Sequence, residues 1–218
     1  MLSLSFGNSE AKIREVLCLG AHADDIEIGC GGTILHLAEK YPTTTVRWMV
    51  FSASTNREQE ARQSAAKFLE NVAHKEIIVH EFKDGFFPYT GEKIKEVFEE
   101  LKDRPSPDVI FTHTSNDRHQ DHRLISELTW NTFRNHLILE YEIPKYDGDI
   151  GNPNVFVHLS SRFCAQKIDY LMAYFETQSN KHWFTRETFE AILRLRGIES
   201  RAPENFAEAF YCRKLIVR

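Results

Sequence analysis

Apolar and polar positions follow two rhythms along the first two thirds of the chain. Short unbroken apolar runs alternate with longer stretches in which apolar residues return every three or four positions. The runs at residues 16–19, 45–52, 76–80 and 108–113 predict strands buried on both faces, and the stretches at 33–40, 56–71, 91–102 and 119–133 predict helices. Pro105 and Pro107 break the chain just ahead of the fourth run. Repeated strand–helix units predict an α/β architecture: a Rossmann-like three-layer fold, with a mainly parallel sheet and helices on both faces. The last third is less regular. Residues 154–158 read as a strand, 162–176 and 186–196 as helices, and 209–217 as a closing strand. The connection at 141–153, with two Pro and two Gly, is long enough to form a loop beside a site. With no repeat or low-complexity tract, residues 1–218 read as one domain.

Composition narrows the function classes. Of 218 residues, 42% are apolar and 26 are aromatic (16 Phe, 7 Tyr, 3 Trp), enough for a sizeable core and too many for a largely disordered chain. Lys and Arg number 27 against 32 Asp and Glu, a net charge of −5, so no nucleic-acid partner is expected. Cys18, Cys30, Cys164 and Cys212 form no CxxC pair, which fits reduced thiols and a cytoplasmic location better than a zinc ribbon or a disulfide framework. The start lacks a basic segment of the signal-peptide kind, and no run approaches the ~20 apolar residues of a membrane span.

Ligands of open parallel sheets gather at the carboxyl ends of strands. After the first predicted strand come His22, Asp24 and Asp25; after the fourth come His113, His119, Asp121 and His122. Two imidazoles and a carboxylate from neighbouring strand ends make a three-ligand catalytic zinc site with a position left for water, and His22, Asp25 and His122 can supply it. Ferrous iron suits the same set. Asp24 adjoins two of these residues as a general base, His119 is an acid or oxyanion holder, and Asp121 can orient an imidazole. Taken singly these signals are weak. An Asp pair often caps a turn, a lone HxxDH suits a solvated helix face, and Gly29, Gly31 and Gly32 read as a tight turn between strand and helix. Together they point to metal chemistry.

The two motifs, AHADD at 21–25 and HQDH at 119–122, resemble those of the LmbE-like or PIG-L family of zinc-dependent N-deacetylases, whose signature pairs AHPDD with a later HxDH. The likeness extends to GGTILHLA at 31–38, Arg57 with Glu60, Asp84-Gly85, Lys167 with Gln178, Arg196-Gly197 and FAEAF at 206–210. The resemblance implies His22, Asp25 and His122 as metal ligands, Asp24 as general base, His119 as the histidine that assists the tetrahedral intermediate or protonates the departing amine, and Asp121 as the carboxylate tuning it. It implies Arg57 and Asp84 as contacts to a sugar-bearing substrate; otherwise Arg57 pairs with Glu60 and Asp84 begins a turn. Two departures stand out: Ala23 replaces the family's Pro, giving up a fixed φ, and the family's His before a Ser-Gln pair is missing near 174–178.

The activity so implied is hydrolysis of the acetamido group of an N-acetylated amino sugar, an N-acetylglucosamine-type unit that is free or part of a nucleotide- or glycoconjugate, releasing acetate and a free amine. A metal-dependent amidase on a non-sugar N-acyl compound is the first alternative. A silent Rossmann-like nucleotide-binding module is the second, although Gly29-x-Gly31-Gly32 is not GxGxxG and follows the His-Asp-Asp cluster. Phe86, Phe87, Tyr89 and Trp183 are candidates for a stacking platform or for the core. Arg118 and Arg123 either meet a phosphate or stay solvated. His113, His158 and His182 read as packing or pocket-edge residues, and a homo-oligomer is the default expectation.

Overall fold

The computed structural model describes residues 13–216. Seven strands make one sheet: β1 (Glu15–His22), β2 (Thr45–Ser52), β3 (His74–Val79), β4 (Val109–His113), β5 (Leu137–Tyr141), β6 (Val155–Leu159) and β7 (Phe206–Tyr211). Their order is β3-β2-β1-β4-β5-β7-β6. The first five run parallel, and β7 lies antiparallel to both β5 and β6.

Alternation along the strands sorts side chains onto two faces. Val16 and Cys18 of β1, with Trp48 and Val50 of β2, pack into one cluster with α1 (Asp25–Lys40), α2 (Thr55–Phe68), α5 (Ser161–Tyr174) and α6 (Arg186–Ser200). Leu17, Leu19, Met49 and Phe51 face the other way, against α3 (Gly91–Lys102) and α4 (Gln120–Thr132). The α/β expectation of a mainly parallel sheet between two helical layers is met.

Three local expectations are not. The first helix begins at Asp25, so Gly29, Gly31 and Gly32 are helical rather than a turn. A Cβ on Gly29 would stand 2.2 Å from the Tyr141 ring, so this glycine lets α1 lie directly on β5. Strand β5 lies where no strand is read from the sequence. The closing strand spans Phe206–Tyr211 rather than 209–217, and residue 217 lies outside those described.

A buried ion pair ties α1 to the end of the chain. Lys167 Nζ donates to Ile28 O and to Glu208 Oε1, both at 2.6 Å, and Glu208 accepts the N–H groups of Gly32 (2.8 Å) and Thr33 (2.6 Å). The pair thus grips α1 at the carbonyl and amide that a regular helical ladder joins to each other. Cys18, Cys30, Cys164 and Cys212 are free thiols.

Candidate functional site

The parallel strands advance outward from β1 in both directions, so β1 and β4 border the switch point where open sheets bind ligands. β1 ends at His22, with Asp24 capping α1; β4 ends at His113, with His119 capping α4. A cleft of about 180 Å³ opens there, lined by His22, Asp24, Asp25, Asp84, His119 and His122, with Arg57 and residues from later in the chain.

His22 Nδ1 lies 3.0 Å from His122 Nε2 and 3.4 Å from Asp25 Oδ2, and His122 Nε2 lies 3.5 Å from the same oxygen. Ligand atoms around tetrahedral zinc, with bonds of about 2.0–2.1 Å, stand roughly 3.3 Å apart, so this triangle fits one face of such an ion. The outward nitrogens meet carboxylates: His22 Nε2 is 3.0 Å from Asp84 Oδ1 and 3.3 Å from Asp121 Oδ2, and His122 Nδ1 is 2.9 Å from Asp117 Oδ2. Each ring therefore keeps an N–H outward and presents its inner nitrogen to the triangle, as metal-binding histidines do.

Charge supports the same fit. Burial would raise the Asp25 carboxyl, yet His122, His113 and His22 hold it well below the usual range. Burial, reinforced by His113, pushes His122 down to about 3, so its ring is neutral at neutral pH. His22 goes the other way, because Asp25, Asp121 and Asp84 outweigh its burial. The positive charge therefore sits on the His22 ring, 3.0 Å from the neutral His122 nitrogen.

Asp24 is buried, and burial raises its carboxyl while Arg57 opposes the shift. Arg57 Nη2 donates to Asp24 Oδ1 at 2.6 Å; Arg57 does not pair with Glu60, which accepts from Thr177 instead. His119 Nδ1 accepts the Asp121 N–H at 3.3 Å, leaving Nε2 to carry the proton of the neutral ring. Burial and the neighbouring His22 lower its pKa, favouring that neutral form. The Asp121 carboxylate reaches His22 rather than His119, and it also accepts the N–H groups of Gly85 (2.7 Å) and Phe87 (3.1 Å). Gly85 sits at φ 78°, a left-handed conformation that glycine adopts readily. The hydrogen bond from His22 is the main cause that brings Asp84 down to about 2.

A family described as PIG-L, GlcNAc-PI de-N-acetylase, matches residues 17–133, more than half the chain and both motifs. The chain belongs to the PIG-L family. The uncharacterized deacetylase YaiS of Escherichia coli (strain K12) is 30% identical over 147 residues, 63% of this chain and 78% of that one. The N,N'-diacetylchitobiose deacetylase from Pyrococcus horikoshii superposes with a TM-score of 0.70 at 20% identity, covering 92% of this chain and 84% of the other. The 4-carboxy-2-hydroxymuconate hydratase GalB from Pseudomonas putida KT2440 also superposes, with a TM-score of 0.70 at 14% identity over 94% and 98% of the chains. A hydratase on the same fold means that the fold alone does not fix the reaction.

The PIG-L match stops at residue 133, yet Lys145, Tyr146, Asp147, Lys181 and Trp183 line the cleft from beyond it. Of the four aromatics read as a platform, only Trp183 lines the cleft; Phe87 is fully buried, and Phe86 and Tyr89 are exposed. Arg118 and Arg123 do not line it: the Arg118 N–H donates to Asp149, and Arg123 Nη1 donates to Asp117 O. His158 and His182 are exposed. His113 is closer to the chemistry than a packing residue. Its ring stacks on His122 with centroids 4.0 Å apart, and its Nε2 accepts the Ala21 N–H at 3.0 Å and lies 3.3 Å from Asp25 Oδ2. Asp117 and Lys145 are absent from the sequence-based candidates. The one signal for Asp117 is its place two residues before His119. Among the described residues, no helix is long and apolar enough to cross a membrane.

Proposed function

We propose that this PIG-L protein is a zinc-dependent hydrolase that removes the acetyl group from an N-acetylated amino sugar, an N-acetylglucosamine-type unit that is free or part of a nucleotide- or glycoconjugate. The observation carrying this reading is the triangle of His22 Nδ1, Asp25 Oδ2 and His122 Nε2 at 3.0–3.5 Å, with both outer imidazole nitrogens held by carboxylates. A zinc ion held there supplies Lewis acidity toward the amide carbonyl and acidifies water.

The chain's own groups divide the proton work. Arg57 fixes Asp24 Oδ1, leaving Oδ2 to take a proton from the attacking water, and the raised basicity of this buried carboxylate suits that task. His119, neutral with its proton on Nε2, donates to the oxygen that gains charge as the carbonyl carbon becomes tetrahedral. As the C–N bond breaks, the proton held by Asp24 passes to the departing nitrogen, giving a free amine and acetate. Trp183 and Tyr146, at the cleft wall, are surfaces for the face of a sugar ring.

The test is elemental analysis of protein purified without chelator, together with acetate release from N-acetylated sugars, sugar nucleotides and simple N-acyl amides. About one equivalent of zinc is expected per chain, with release from sugars lowered roughly 10²–10⁴-fold in Asp24→Asn. Iron in place of zinc would change the metal but keep the hydrolase. Turnover of simple amides alone would replace the sugar with a non-sugar N-acyl substrate. A metal-free protein that stays silent with added zinc would overturn the reading.

A further inference from the structure

The connection between β5 and β6 folds along the cleft, and two buried cations hold it. Arg196 of α6 donates to both Glu142 oxygens, at 2.7–3.1 Å, and to Gly151 O at 2.9 Å. Lys145 secures the middle. Its side chain is 8% exposed, and its Nζ lies 2.6 Å from Asp149 Oδ2 and 3.0 Å from Asp117 Oδ2. That same Asp117 oxygen is the one 2.9 Å from His122 Nδ1, while Asp117 Oδ1 accepts the His119 N–H at 2.8 Å. One carboxylate thus meets the second motif at two points and the loop at a third. Lys145 is flanked by Tyr146 and Asp147, and all three line the cleft.

A carboxylate behind a metal-binding imidazole sets the ring's direction and donor strength only if it is itself held. Asp117 is fully buried, and Lys145 places a cation, shared with Asp149, 3.0 Å from its Oδ2; His122 and the His119 N–H offer hydrogen bonds but no permanent charge. We infer that Lys145 is a positioning residue: through Asp117 it fixes His122 and locks the 142–154 loop, with Tyr146 and Asp147, to the metal side of the cleft. This rests on the metal reading above, and the readouts separate the two.

The experiment is zinc affinity of the apo protein, measured by competition with a chromogenic chelator and therefore independent of turnover. Lys145→Met should weaken zinc about 10–100-fold, the usual cost of losing such an outer partner, and Lys145→Arg should restore most of it. In an Asp117→Asn background, Lys145→Met should cost little more, because the effect runs through Asp117. Chymotrypsin cleavage after Tyr146, which is 71% exposed, should be slowed by zinc in the wild type and not in Lys145→Met. Melting curves check folding; should the Met variant fail to fold, Lys145→Gln carries the same expectation. Equal zinc affinity in Lys145→Met and wild type, or costs that simply add in the double variant, would overturn the inference and leave the site standing. A wild-type protein that binds no zinc would overturn both.

Discussion

Replacing Lys167 by Met removes the cation from an ion pair in which both side chains are 2% exposed. Glu208 then keeps two N–H donors, Gly32 and Thr33, but loses its counterion, and Ile28 O loses a donor. Breaking a buried pair from one side costs about 3–5 kcal/mol. At about 2–4 °C per kcal/mol for a chain of this size, the melting temperature should fall by roughly 6–20 °C. Glu208→Gln should also destabilise, since it strands the lysine. The double variant Lys167→Met/Glu208→Gln should lose less than the two single losses combined, because no unpaired charge remains while the amide oxygen still accepts an N–H. Thermal melts by circular dichroism at neutral pH decide it. A Lys167→Met protein that melts within about 2 °C of the wild type would refute the reasoning, and so would strict additivity in the double variant.

Gly29→Ala should destabilise by about 1–3 kcal/mol, because its Cβ would meet the Tyr141 ring at 2.2 Å and force α1 away from β5; an unchanged denaturation midpoint would contradict that packing. At Glu76, burial works to raise the carboxyl, but Arg47, at 2.9 Å, and Arg104 outweigh it and hold the folded pKa below the ordinary value. The stability gained is therefore present above pH ~4.3 and lost as pH falls through the lower folded pKa; with the pair partly exposed, it is at most about 1 kcal/mol. The melting-temperature gap between wild type and Glu76→Gln should close between neutral pH and pH 3, and a constant gap would contradict the ion pair. If zinc binds as proposed, a chelator should lower the melting temperature of protein held at 100 times its zinc Kd by the equivalent of about 2.7 kcal/mol, and should leave His122→Ala unaffected.

The first four strand–helix units were legible because each strand is an apolar run and each helix keeps its spacing, and the two motifs fell where a parallel sheet collects ligands. What escaped has physical causes. Three glycines looked like a turn because their use is close packing rather than conformation: Gly29 faces Tyr141, Gly31 faces Phe68 and Gly32 faces Leu159. Strand β5 is five residues with Glu140 inside it, and that charge reads as solvent-facing. Its partners are Trp130, at 2.5 Å, from the preceding helix, and Arg213, at 2.7 Å, from the far end of the chain. Asp117 meets His122 and Lys145 meets Asp117, contacts made by side chains from two loops, so no spacing along the chain marks them. The antiparallel entry of β7 depends on which edge is open, a property of the assembled sheet.

That entry has a consequence for synthesis. β7 is the last strand in chain order, yet it sits inside the sheet, between β5 and β6. As the polypeptide leaves the ribosome, β5 presents an unpaired edge, and β6 has no strand to join until residues 206–211 emerge. The same six residues deliver Glu208, which grips the helix bearing Asp25. A nascent chain carrying both motifs is therefore still unfinished: its sheet is open to pairing with other chains, and the helix that carries one corner of the triangle is not yet pinned. Stalling or premature stops anywhere before this strand should yield aggregation rather than a weakened enzyme.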